Sequence, residues 1–226
     1  MRPRQSFFNS SVGSKYLIAL SGLSLVGYLI LHLAGNLLVF VSPEAFNGYA
    51  DKLIKNPLLI PAELGLLALF LLHVYKTVTL WFGSRDARPT NYAVKKWAGH
   101  SSRKSLASTT MILSGTFLFV FVLSHLVTFK YGAHYVSPDR PEERDLYRLM
   151  VEVFSKPGYV VFYVISMVII GMHLWHGTSS AFQSLGVDQG GLAPKIRAAG
   201  WGLALLIATG FLIIPVWVFL FAGARS

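Results

Sequence analysis

Hydrophobic positions in this chain do not alternate with polar ones; they run together in five long blocks separated by short charged segments. The blocks cover about residues 15–41, 57–82, 105–130, 157–182 and 198–223. Each meets the need for about 20 apolar residues to cross roughly 30 Å of hydrocarbon as a helix. No residue is charged between Lys15 and Glu44, and the second block is interrupted only by Glu63 near its start and Lys76 near its end. The second and fourth blocks open at Pro57 and Pro157, where proline suits a first helical turn. Pro215 is expected to bend the fifth without ending it. No repeat, linker or low-complexity tract is read, so the pattern predicts an all-α membrane protein, one domain over residues 1–226 with five transmembrane helices in a bundle.

Composition narrows this reading. Hydrophobic residues make up 54% of the 226 and charged residues only 13%, against about 25% charged in soluble domains. The basic opening is like that of a signal peptide, but the apolar run continues to about Phe40, too long for an h-region, and is read as a retained span. There is no cysteine, which excludes disulfides, cysteine-ligated iron–sulfur clusters and covalently attached c-type haem.

The net charge of +10 fits a membrane face better than nucleic acid, because its basic residues flank apolar spans. With the N-terminus in the cytoplasm, the inner side holds twelve basic residues against Asp86 and Asp188, and the outer side eight basic against eight acidic. That asymmetry predicts a cytoplasmic N-terminus and an outer C-terminus. The outer loop from Val136 to Lys156 is expected to carry a short amphipathic helix with Leu146, Leu149, Met150 and Val153 facing the membrane.

Histidine is costly in hydrocarbon, and an intramembrane histidine is a functional hypothesis by default. Four of the five spans contain one: His32, His73, His125, and His173 with His176. His32 lies 17 residues past Lys15, and His125 lies 21 past Lys104 but five before Lys130, so both belong in the outer half. His73 and His173 each lie 16 residues after the proline that opens their inward-running span, which puts both in the inner half. Two pairs at two depths, each shared by helices of one direction, is the geometry for two b-type haems with bis-histidine axial ligation. The pairs are His32 with His125 for the outer haem and His73 with His173 for the inner.

His176 shares a face with His173 but sits nearer the cytoplasmic boundary, where an interfacial histidine is the preferred reading. His100 and His134 fall in loops and read as solvated. Lys15, Ser21, Lys76, Trp97, Arg103 and His176 are candidates for the propionates of the inner haem, each equally well explained as a boundary residue. Glu63 is the carboxylate set into an apolar span, a candidate for quinone binding or proton relay. The small residues of "SGLSLVG" and "ILSGTF" leave room for a cofactor and equally for helix packing.

With these residues in place, the chain resembles the dihaem cytochrome b subunit of succinate:quinone oxidoreductases, the succinate dehydrogenase and fumarate reductase family. The resemblance covers nearly the whole chain and lies in "SSVGSKYLIALSG", "HLAGNL", "EAFNGYADKL" and "HLWHGTSSAFQSLG". It implies a five-helix bundle with two non-covalent haems b ligated by His32, His73, His125 and His173. The implied partners are an iron–sulfur subunit and a flavoprotein subunit on the cytoplasmic side, and a membrane quinone, with menaquinone expected. The implied location is the bacterial inner membrane. Some menaquinol:fumarate reductases carry a glutamate just before the fourth-span ligand for a proton path; Gly171 and Met172 stand there in this chain. Two other readings stay open: a dihaem cytochrome b of a nitrate reductase or hydrogenase, and a haem-free transporter that uses intramembrane histidines.

Overall fold

A computed structural model describes residues 8, 10–87, 110–137, 140–187 and 190–222. Within them the chain is helical, and the sole β feature is an isolated bridge between Val136 and Arg144. Seven helices follow in order: α1 (Ser11–Asn36), α2 (Pro43–Ile54), α3 (Leu59–Asp86), α4 (Met111–His125), α5 (Leu146–Phe154), α6 (Pro157–Ser184) and α7 (Ala193–Trp217). A 3₁₀ turn (Leu37–Phe40) prolongs α1, and π-helical turns prolong α4 (Leu126–Lys130) and α7 (Val218–Ala222). With these extensions, α1, α3, α4, α6 and α7 are long and apolar enough to cross a membrane. The chain is a multi-pass membrane protein. The start expected for the third span, residues 105–110, falls almost wholly outside the described residues.

Local chemistry accounts for the helix boundaries. Ser10 Oγ accepts from the Gly13 amide at 3.0 Å and Ser42 Oγ from Ala45 at 3.1 Å, capping α1 and α2. Pro43 and Pro157 stand in the first turns of α2 and α6. Helix α7 continues through Pro215, which is fully buried, before passing into its π-helical turn. Along the spans, large apolar side chains such as Leu31, Ile60, Leu64 and Leu205 lie exposed. In water these would form a large unpaired apolar surface; in hydrocarbon they cost nothing.

The long helices run antiparallel to their chain neighbours. Lys130 at the end of α4 pairs with Glu63 at the start of α3, and Lys76 towards the end of α3 donates to the Phe8 carbonyl just before α1, at 2.8 Å. The contacts of α1 with α3, α6 and α7, and of α6 with α4 and α7, tie the spans together.

One end is covered by α2 and α5 and is here termed the capped end; the opposite end is the open end. At the capped end, Asn47 Nδ2 donates to Asp145 Oδ1 (2.8 Å), and the Tyr147 amide donates to Asn47 Oδ1 (2.9 Å). Asp145 Oδ1 also accepts from the Arg148 amide at 3.0 Å, capping α5. Arg144 donates to the carbonyls of Phe129, Lys130 and Ala133 (3.1, 3.3 and 3.1 Å), closing the end of α4. On the surface beside it, the Tyr135 hydroxyl donates to Glu152, which holds that carboxyl below its ordinary range and the phenol above.

One sequence expectation is corrected here. The outer-loop helix exists as α5, but Leu149, Met150, Val153 and Phe154 are buried against Phe46, Val39 and Val218, with Leu146 partly buried beside them. They face the protein, because α2 supplies an apolar partner surface, and the helix does not present them to the membrane. The segment "EAFNGYADKL" is itself helical, as most of α2, and supplies Phe46 and Asn47 to that contact.

Candidate functional site

Near the capped end the rings of His32 (α1) and His125 (α4) meet edge to face, centroids 5.8 Å apart and planes at 86°. A metal held between two imidazoles, with bonds of about 2.0–2.1 Å as for zinc, places the ring centroids roughly 6 Å apart. The observed separation fits. Tyr28 stacks on His32 at 5.4 Å, and Phe211 lies 5.6 Å from it. Phe121, Phe129 and Tyr163 surround His125 at 5.9, 5.4 and 6.1 Å. This aromatic lining suits a flat, apolar macrocycle. The polar partners are Asn36 Nδ2, 3.4 Å from His32 Nδ1, and the Tyr163 hydroxyl, 3.2 Å from His125 Nδ1.

Towards the open end lie His73 (α3) and His173 (α6). Their Nδ1 atoms are met by serines of neighbouring helices, Ser21 of α1 at 3.2 Å and Ser114 of α4 at 3.0 Å. All four histidines are partly buried and come from four different spans. They offer what iron needs from a protein without cysteine, neutral imidazole nitrogens arriving in pairs.

The other predicted positions divide. Ser21 is buried, and its hydroxyl is used by the Leu17 carbonyl (2.6 Å) and by His73. Lys76 is tied to Phe8, and Lys15 lies exposed near the start of α1. His176 is partly buried one turn from His173. Trp97, Arg103 and His100 lie outside the described residues. His134 is exposed. Glu63 is partly exposed and bound to Lys130 at the capped end, so its carboxylate is an ion-pair partner there.

Sequence reasoning missed Ser114, although a signal for it is present. Ser-Gly followed by histidine recurs as Ser21-Gly22 with His32 and Ser114-Gly115 with His125, at one spacing, so the chain does hold a short internal repeat. No family model matches the chain, and no curated protein or solved structure matches it either.

Proposed function

We propose that the chain is the dihaem cytochrome b subunit anchoring a succinate:quinone oxidoreductase in the bacterial cytoplasmic membrane. The observation that carries this reading is the sorting of four intramembrane histidines into two pairs on four helices, with His32 and His125 at a separation that suits a shared metal. His32 and His125 would hold one haem b, and His73 and His173 the other. Bound haem supplies a one-electron carrier at each of two depths. The chain's own part is to hold and orient the imidazoles and to keep water from them. Phe121, Phe129, Phe211 and Tyr163 do the last at the capped end.

The open end would face the cytoplasm, since the basic loops belong to it. There an iron–sulfur subunit carrying the flavoprotein would dock, and dicarboxylate chemistry would occur in that partner. Membrane quinone, expected to be menaquinone, would exchange electrons with the haems. The family is favoured over nitrate reductase and hydrogenase cytochromes by "EAFNGYADKL" and "HLWHGTSSAFQSLG". The first of these contributes the buried Phe46 and Asn47 of the capped end.

A pyridine haemochrome assay on the purified chain should return two haems b per polypeptide. One haem would refute the pairing, and none would leave the transporter reading. Co-purification with succinate-dependent quinone reduction separates this assignment from the other cytochromes b; nitrate or hydrogen turnover in its place would overturn it.

A further inference from the structure

The short repeat has a geometric counterpart. Serine and histidine stand eleven residues apart in both α1 and α4, about 16 Å along a helix rising 1.5 Å per residue. In each helix the histidine belongs to the capped-end pair, while the Ser-Gly step meets a histidine of the open-end pair. One helix therefore serves both pairs with different chemistry.

A serine hydroxyl carries a single hydrogen. In Ser21 it goes to the Leu17 carbonyl at 2.6 Å, and in Ser114 to the Met111 carbonyl at 3.1 Å. What each oxygen still offers is a lone pair, and it offers it to an imidazole Nδ1, His73 at 3.2 Å and His173 at 3.0 Å. With the hydroxyl hydrogen on the backbone carbonyl, each ring would donate from Nδ1 and keep the Nε2 lone pair free. The neighbouring glycine makes room for the ring. A Cβ at Gly22 would stand 3.1 Å from His73 Cε1 and 3.4 Å from Nδ1, whereas one at Gly115 would meet His173 Cε1 at 3.6 Å, an ordinary contact.

We propose that Ser21 and Ser114 are positioning residues for the open-end site, each fixing one histidine in the tautomer that presents Nε2 to a metal. This rests on the haem reading above. A ligand imidazole that donates through its second nitrogen becomes more basic and is held in one orientation. A more basic ligand favours ferric over ferrous iron. Removing the acceptor should therefore raise the midpoint potential of that haem and leave the other where it was.

The test is a redox titration with EPR of the full-length chain in membranes, comparing Ser21→Ala, Ser114→Ala and the corresponding threonine variants. The open-end haem is defined as the component missing from His173→Ala. Either alanine variant should shift that component upward and alter its low-spin signature, and threonine, which keeps a hydroxyl, should restore both. Loss of that haem in an alanine variant but not in its threonine counterpart would also support the role. An unchanged potential and signature in both alanine variants would overturn it, as would a shift confined to the other haem. A wild-type chain with no b-type absorption would overturn the haem reading itself, a result distinct from haems that ignore the serines.

Discussion

The two histidine pairs share α1 and α4 in the same register, yet their surroundings differ in kind. At the capped end the rings lie among five aromatic side chains, beneath the lid made by α2 and α5. At the open end the flanking residues are small, and the polar partners are serine hydroxyls that also meet backbone carbonyls of their own helices. The contrast extends to readiness. Asn36 Nδ2 is a donor, so a hydrogen bond to His32 Nδ1 would favour the tautomer with its proton on Nε2. The same Nδ2 also donates to the His32 carbonyl at 2.8 Å, so reversing the amide breaks a bond. On the haem reading, the open end would be set for a metal before one arrives, and the capped end would have to rearrange. Enclosure and preorganisation are thus divided between the two sites.

The comparison breaks most readily at the histidines themselves. His125→Ala and His173→Ala should each remove one of two haems in the haemochrome assay, and different ones by potential, whereas His176→Ala should retain both. Retention of both haems in His173→Ala with one lost in His176→Ala would reverse the ligand assignment. Asn47 offers a smaller perturbation. Asn47→Ala leaves Asp145 and the Tyr147 amide short of a partner, which should cost about 1–3 kcal/mol. In a thermal scan followed at the Soret band, the capped-end haem should be released first, with the open-end haem near its wild-type midpoint. Equal loss of both would show that the lid serves the whole molecule. The smallest effect is expected at Glu63. Its pair with Lys130 is partly exposed, and such pairs contribute about 0–1 kcal/mol. Glu63→Gln should shift the melting transition by no more than that and keep both haems. A larger loss would place the pair in a desolvated setting and make the capped end depend on charge.

The spans and the placing of His32 level with His125 were legible because both follow from counting along one helix. Apolar run length and residue spacing need no knowledge of neighbours. The lid was not legible in the same way. Its key contact joins Asn47 to Asp145, 98 positions apart, and no local pattern encodes it. The apolar stripe of α5 was found, but a stripe that packs on α2 reads the same as one that lies on lipid. Ser21 was singled out for its depth, and its contact with His73 emerged only once α1 and α3 were side by side. Ser114 went unread because a serine in an apolar helix most often bonds its own backbone, as this one also does with Met111.

The separation between Asn47 and Asp145 also has a meaning in time. A ribosome adding roughly 5–20 residues per second delivers Asp145 about 5–20 s after Asn47. Through that interval the carboxamide of Asn47 and the ring of Phe46 lack the surface that will receive them, and only water or lipid headgroups can meet them. The Arg144 guanidinium that closes α4 arrives at the same late moment. The spans can therefore associate while the capped end still stands open, and that end is sealed only as the fourth span begins to emerge.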